Sequence, residues 1–281
     1  MFDVVTRPLE TVAPTSDTSA RIRAGRGGSG ANIAVAVAAT GHDVLYVGVV
    51  GDDAVGRLVI EDLEHAGVRH CLQVVSGSTG VVVAIVAPDG QRAMLTDRGV
   101  NAELQLAHVV AALGEPFEHL HVSGYTLLDE RTRAIGEAAL ARARVEGWRT
   151  SVDVCSVAPL RQVTPRAFLR AAALATMLFA NEEEALALSE VDDAEQALAA
   201  LAARFDELVV TRGGAGVVAR RGEKEWSEPP HDTDVLDTTG AGDAATGAYL
   251  GARLSGDDVP TSLERAMAAA ATVVRGLGAR G

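Results

Sequence analysis

The chain has 281 residues, 48% of them hydrophobic and 22% charged, which supplies a large buried core and argues against extended disorder. Its 38 acidic residues against 25 lysines and arginines give a formal charge of -13, a field that repels polyanions and sets nucleic acid aside as a partner. Lys224 is the single lysine and lies outside any glycine-rich loop, so a Walker P-loop is excluded; Cys71 and Cys155 are too few for a disulfide framework or a cysteine-rich zinc site.

In chain order, Met1 to Val12 carries Asp3, Arg7 and Glu10 without a central apolar run, unlike a signal peptide. Thr6 to Arg26 is polar and has no clear period. Gly27-Gly-Ser-Gly-Ala-Asn32 then opens a buried helix, Asn32 to Thr40, closed by Gly41. Val44 to Val50 reads as a strand and Val55 to Ala66 as a helix closed by Gly67. Cys71 to Pro88 is uncharged but broken by polar residues and glycine, so it is no membrane span, and a cytoplasmic protein is expected. In Val81 to Thr96, two extended runs flank Pro88-Asp89-Gly90, a hairpin signal; with Thr6 to Arg26 this segment would form a small second layer or lid. Strands follow at Leu120 to Ser123, Thr150 to Val154, Met177 to Ala180 and Leu208 to Thr211, each leading through a turn into a helix-compatible segment. Val217 to Trp226, around Arg221-Gly222, reads as a hairpin at a sheet edge. The alternation is that of a parallel sheet with helices on both faces, whose strand ends are where ligands bind.

The densest chemical signal is Asp237-Thr-Thr-Gly-Ala-Gly-Asp243, after Val235-Leu236 and before a helix-like run, Ala244 to Leu254. A glycine turn opening a helix aims backbone N–H groups at one spot, so Gly240, Ala241 and Gly242 would cradle an anion without a lysine. Asp243, in the first helical turn, would stay ionised and can accept the proton of an attacking hydroxyl; both features also serve helix stability alone. Gly27 and Gly28 let a ligand approach the backbone, and Asn32 offers both a donor and an acceptor to a polyol. Gly25-x-Gly27-x-x-Gly30 with Asp52 also spells a dinucleotide fingerprint, the basis of an NAD(P)-binding reductase alternative. The preceding Ser19 to Ala24, with Arg21 and Arg23 around Ile22, is no buried parallel strand. Asn181 and Glu184 follow a strand and begin a helix, where they can hold magnesium through water or simply favour the helix start. Thr211-Arg-Gly-Gly-Ala-Gly216 is a flexible turn that can pass close to a nucleotide. His119 and His121 face one side of a strand, but with no third ligand a packed or hydrogen-bonded pair is expected rather than a metal site. Asp153 ends a strand, and no Gly-x-Ser-x-Gly elbow occurs.

Taken in order, Gly27 to Asn32, Val50-Gly-Asp-Asp-Ala-Val-Gly56, Asn181 to Glu184, Thr211 to Gly216 and Asp237 to Asp243 resemble the ribokinase-like (PfkB) family of carbohydrate and nucleoside kinases. The resemblance implies a three-layer α/β/α sandwich with a central mostly parallel sheet and a small β lid. It implies one kinase domain over residues 1–281, with lid segments near 4–26 and 72–98. It further implies Mg-ATP-dependent transfer of the γ-phosphoryl group to a hydroxyl of a sugar, with a nucleoside kinase as the nearest alternative. Asp243 matches the general base and Gly240, Ala241 and Gly242 the anion hole. Asn181 and Glu184 match the Mg2+ site, through water; Thr211, Gly213 and Gly216 match the ATP loop. Asp3, Gly27, Gly28 and Asn32, with Asp243, match the sugar-binding face. A monovalent cation (K+) near Asp237 and a homodimer through the lid are also implied. Ser29 stands where ribokinases often carry lysine, and Asp153-Val-Cys155 lacks the asparagine found after the comparable aspartate in several sugar kinases.

Overall fold

Both ends of the polar N-terminal segment are strands. Phe2–Pro8 (β1) and Ala20–Arg26 (β2) pair antiparallel, from Phe2 opposite Arg26 to Pro8 opposite Ala20. In this computed structural model, which describes residues 1–87 and 92–279, the chain divides into two units. The first comprises Met1–Asn101, His231–Asp257 and Ala268–Gly281; the second comprises Ala102–Pro230 and Asp258–Met267.

In the first unit, Ser29–Ala38 (α1) follows β2, then Leu45–Gly51 (β3), Ala54–His65 (α2) and Arg69–Val75 (β4). Asp53 caps α2, its side chain accepting from Gly56 N at 2.7 Å. β3 and β4 form a parallel pair of their own, with Val47 opposite Cys71. Thr79–Val86 (β5) and Arg92–Gly99 (β6) pair antiparallel, as the hairpin reading requires; Pro88, Asp89 and Gly90 lie outside the described residues. β5 also pairs in parallel with β1, giving a four-stranded sheet in the order β2-β1-β5-β6. Arg69–Val75 belongs with β3, so the second segment of this small sheet begins at Thr79 rather than near residue 72. One face of β1 packs Val5 with Ala84, Val86 and Leu277. The other face carries Thr6 beside Ile22 and Ile85, and Ile22 and Leu95 are more than 60% exposed.

The second unit carries the α/β alternation. Leu106–Ala112 (α3), His119–Val122 (β7), Gly124–Leu128 (α4), Arg133–Glu146 (α5), Arg149–Asp153 (β8), Val157–Val163 (α6) and Pro165–Ala171 (α7) come first. Met177–Asn181 (β9), Glu182–Ser189 (α8), Ala194–Ala202 (α9), Glu207–Thr211 (β10), Val217–Arg221 (β11) and Lys224–Glu228 (β12) follow. β7, β8, β9 and β10 are mutually parallel, while β11 and β12 add an antiparallel hairpin at the edge, as read from Arg221-Gly222. Leu140, Leu160, Phe168, Leu178 and Leu208 are fully buried in one cluster; burying each such side chain contributes ~1.5–3 kcal/mol. The remaining helices are Ala241–Leu254 (α10) and Val259–Val273 (α11). Among the described residues no helix is long and apolar enough to cross a membrane.

Candidate active site

Two glycine turns bring two helix starts together in the first unit. Gly28 (φ 87°) caps α1 and Gly240 (φ 78°) caps α10, both in the left-handed region that disfavours a side chain. α10 is buried without interruption from Ala244 to Ala252, so it is a core helix rather than an amphipathic surface one. It meets α1 through glycines: a Cβ on Gly247 would collide with Ala36 and lie 2.9 Å from Ile33 O, and one on Gly251 would collide with Thr40. Positions on both helices advance together, so α1 and α10 lie side by side in the same direction with their N-termini at one end. Both helix dipoles add positive potential there.

That packing sets Asp243 against α1. Ser29 Oγ donates to Asp243 Oδ1 and Asn32 Nδ2 donates to Oδ2, each at 2.8 Å. Arg26 Nη1 in turn donates to Asn32 Oδ1 at 2.6 Å, and Arg26 Nε donates to Asp62 Oδ2 at 3.0 Å. Asn32 thus spends one lone pair of its oxygen on Arg26 and one N–H on Asp243, which leaves one acceptor site and one N–H. Asp243 is in the first turn of α10, as the sequence reading places it.

Asp3 reaches the same place from β1. A Cβ on Gly27 would overlap the Asp3 carboxylate, so the missing side chain makes room for it. Asp3 Oδ1 is buried and has no hydrogen-bond partner among the described residues. Burial pushes its pKa up to about 6; the N-terminal ammonium and Arg26 oppose that rise and Asp243 adds to it. A buried oxygen left unsatisfied costs free energy until a donor reaches it, and a hydroxyl of a ligand is such a donor.

The loop before α10 is held from beneath. Asp237 is fully buried; its Oδ1 accepts from Thr239 N (2.9 Å) and Oγ1 (2.7 Å), and its Oδ2 accepts from Gly278 N (2.8 Å). Leu236 N donates to Val274 O at 2.8 Å, and a Cβ on Gly240 would sit 2.5 Å from Ala279 Cβ. Ala241 N donates to Thr238 O at a long 3.3 Å, while the space a Cβ on Gly242 would fill is open. The first amides of an α-helix have no partner within the helix, so Gly240, Ala241 and Gly242 form a cradle fit for an anion.

The other predicted residues lie in the second unit, at the carboxyl edge of its parallel strands. Asn181 ends β9 and Thr211 ends β10, directly opposite each other in register. Asn181 and Glu184 form a capping box: Asn181 Oδ1 accepts from Glu184 N at 2.8 Å and Glu184 Oε2 accepts from Asn181 N at 2.9 Å. Both the helix-start and the metal readings thus fall on the same pair. Their amide and carboxylate oxygens are the hard donors that hydrated Mg2+ takes. After Thr211, Arg212 N donates to Gly216 O at 2.7 Å; Gly213 (φ 54°) and Gly216 (φ 84°) are left-handed, and a Cβ on Gly213 or Gly214 would meet open space. This tight turn exposes backbone to an approaching ligand.

His119 and His121 form the hydrogen-bonded pair expected, both at Ser151 Oγ, at 2.7 and 2.8 Å. Burial, with His121 and Arg149 adding to it, pushes His119 down to about 3, so it is neutral. Burial pushes Asp153 up, but hydrogen bonds from His121 Nε2, Cys155 Sγ and Gly124 N outweigh it and hold the carboxyl below its usual value. Among the described residues no group of three or more His, Cys, Asp or Glu side chains is arranged to hold a metal directly. The segment before Gly27 is an exposed antiparallel strand, β2, which is not the buried parallel strand of a dinucleotide site. Sequence reasoning missed the roles of Ser29, Arg26 and Asp62: Ser29 meets Asp243 across 214 residues and Arg26 meets Asp62 across 36.

Comparison with known proteins shows the family and the fold. A family model described as pfkB family carbohydrate kinase matches residues 1–281. An ATP-dependent ribose-1-phosphate kinase of Halopiger xanaduensis is 34% identical over 275 residues, 95% of this chain and 87% of that protein. The adenosine kinase structure from Sinorhizobium meliloti superposes with a TM-score of 0.89 at 24% identity, covering 100% of this chain and 93% of that one. An E. coli protein described as a ribokinase II, solved with ATP and Mg2+, has a TM-score of 0.86 at 21% identity over 99% of this chain and 92% of its own.

Proposed function

The chain belongs to the pfkB family of carbohydrate kinases, ATP-dependent phosphotransferases with the ribokinase-like α/β fold, and from that membership we propose how its own residues carry out phosphoryl transfer to a sugar hydroxyl. The observation that carries the reading is Asp3 Oδ1, buried and unpartnered in the unit where Asp243 is held by two donors at a helix start. Asp3, Gly27, Gly28 and the remaining N–H of Asn32 bind and orient the acceptor. Asp243 accepts the proton of the attacking hydroxyl, and the amides of Gly240, Ala241 and Gly242 stabilise the negative charge of the transferring group. Thr211, Gly213 and Gly216 contact the nucleotide, and Asn181 and Glu184 hold Mg2+ through water. Mg2+, when bound, neutralises charge on the phosphate oxygens.

A monovalent cation beside Asp237 is part of the proposal. Among the described residues this buried carboxyl accepts only from neutral donors, Thr239 and Gly278, so a cation is the partner its oxygens lack. Turnover in K+ that drops in tetramethylammonium supports the site. The exposed Ile22, Ile85 and Leu95, on one face of the small sheet, support a homodimer through that face. Leu95→Glu should then halve the mass measured by light scattering. The use of ATP supports a cytoplasmic location.

The acceptor is tested by a phosphotransfer screen of D-ribose, D-fructose, D-ribose 1-phosphate and adenosine with ATP. A sugar or sugar phosphate as the best acceptor supports the reading. Adenosine as the best acceptor replaces it with a nucleoside kinase, the activity carried by the adenosine kinase of similar fold.

A further inference from the structure

Behind the proposed base, Arg26 and Asp62 back the side chain of Asn32. Asn32 can face Asp243 in two ways, because an amide turned end for end has nearly the same shape. With its NH2 toward the carboxylate it donates; with its oxygen there, two acceptors would repel. Arg26 decides between the two. Its guanidinium can only donate, and its Nη1 lies 2.6 Å from Asn32 Oδ1, so the oxygen must turn to Arg26 and the NH2 to Asp243 Oδ2. Arg26 is itself aimed by Asp62, through the 3.0 Å bond from Nε; the two side chains are 4% and 20% exposed. Burying an arginine costs more stability than burying an apolar side chain of its size, so the chain keeps a device whose benefit is orientation.

We propose that Arg26, held by Asp62, is a positioning residue that locks the Asn32 amide so that it donates to Asp243 and keeps that carboxylate ionised and aligned. The proposal rests on the reading of Asp243 as the base. Ser29 and Asn32 on α1 donate to Asp243, and Asp3 on β1 is a like charge coupled to it; Arg26 on β2 is coupled to Asp3. Losing Arg26 frees Asn32 to offer its oxygen, which withdraws a donor from the ionised Asp243 and favours its protonated form. It also removes the positive charge that holds Asp3 down.

The experiment compares the full-length wild type with Arg26→Met, Arg26→Lys and Asp243→Asn. Turnover is measured with ATP and the sugar that the acceptor screen ranks first, from pH 5 to 9. Hydrogen exchange of the Asn32 side-chain amide is followed in 15N spectra, assigned against Asn32→Ser. In Arg26→Met, kcat should fall about 10–100-fold, the scale of a misplaced catalytic group. The acid limb of kcat should move to higher pH, with Asp3, which Arg26 also holds down, contributing to the move; the Asn32 amide should exchange at least ~10-fold faster, while KM for ATP is unchanged. Arg26→Lys, which still donates to Oδ1, should recover most of kcat and of the protection, and it remains informative where the methionine variant fails to fold. A lower Tm in Arg26→Met, with kcat per folded molecule, pH profile and Asn32 exchange all as in the wild type, overturns the proposal. Wild-type turnover in Asp243→Asn overturns instead the base assignment on which it rests. An inactive Asp243→Asn beside a fully normal Arg26→Met separates the two.

Discussion

Gly247→Ala is the substitution that asks whether helix packing, rather than any group touching a ligand, positions the base. The added methyl would lie 2.9 Å from Ile33 O, where ordinary contact begins at 3.4 Å, and nearer still to Ala36 Cβ. α1 and α10 must therefore separate by at least about 0.5 Å, the difference between those two distances. Overpacking of this kind costs ~1–3 kcal/mol, and alanine's advantage over glycine inside a helix returns ~1 kcal/mol. The net destabilisation, about 1 kcal/mol, lowers Tm by only ~2–4 °C in a chain of this size. One turn away, the two 2.8 Å bonds to Asp243 stretch to about 3.3 Å, the weak end of the range. Hydrogen bonds to a charged group are worth ~1.5–3 kcal/mol each, so kcat should fall at least 10-fold with KM for ATP unchanged. A coupled ADP-release assay and thermal melting measure both. Adding Ala36→Gly should restore part of kcat, because the contact with Ile33 O persists. Wild-type kcat in a folded Gly247→Ala would refute the argument that this helix contact sets the site.

Gly27→Ala places a methyl on the Asp3 carboxylate and should raise KM for the acceptor at least ~10-fold while leaving KM for ATP alone, measured by initial rates. Asp3 titrates near 6 in the fold against 3.8 in a free chain, so its contribution to stability is fully present below about pH 4 and is lost as pH rises through about 6. The change, about 3 kcal/mol, should be absent in Asp3→Asn when urea unfolding is followed from pH 4 to 7. Burial, reinforced by Asp153, pushes the Cys155 thiol well up, so iodoacetamide at pH 8 should leave Cys155 unmodified in the folded protein and alkylate it in urea, as mass spectrometry would show.

What local pattern controls was legible in the sequence. The helix closed by Gly41, the strand before Gly51, the Arg221-Gly222 hairpin and the turn ending at Asp243 all fall within a few residues of their observed bounds, because each is fixed by neighbours in the chain. The histidine pair was readable for the same reason: strand alternation sets both rings on one face. Contacts across the chain were not readable. Ser29 and Asp243 are separated by 214 residues and Arg26 and Asp62 by 36. Nothing local marks the Asp3 carboxylate as enclosed, because the room it occupies is left by Gly27, at the far end of the β1–β2 pair. The Gly247 and Gly251 stripe sits inside an Ala-rich helix that reads as ordinary, and its meaning comes only from α1. β4 is hidden because its residues pair with β3 instead of continuing the small sheet.

Asp243→Asn is the most direct test: it keeps the size and shape of the side chain, turns one of its two acceptor oxygens into a donor and removes the proton acceptor. Turnover with ATP and the best acceptor should fall ~10²–10⁴-fold, while calorimetry gives an ATP Kd within about 3-fold of the wild type. Turnover within a few-fold of the wild type would contradict the role of Asp243 as the base.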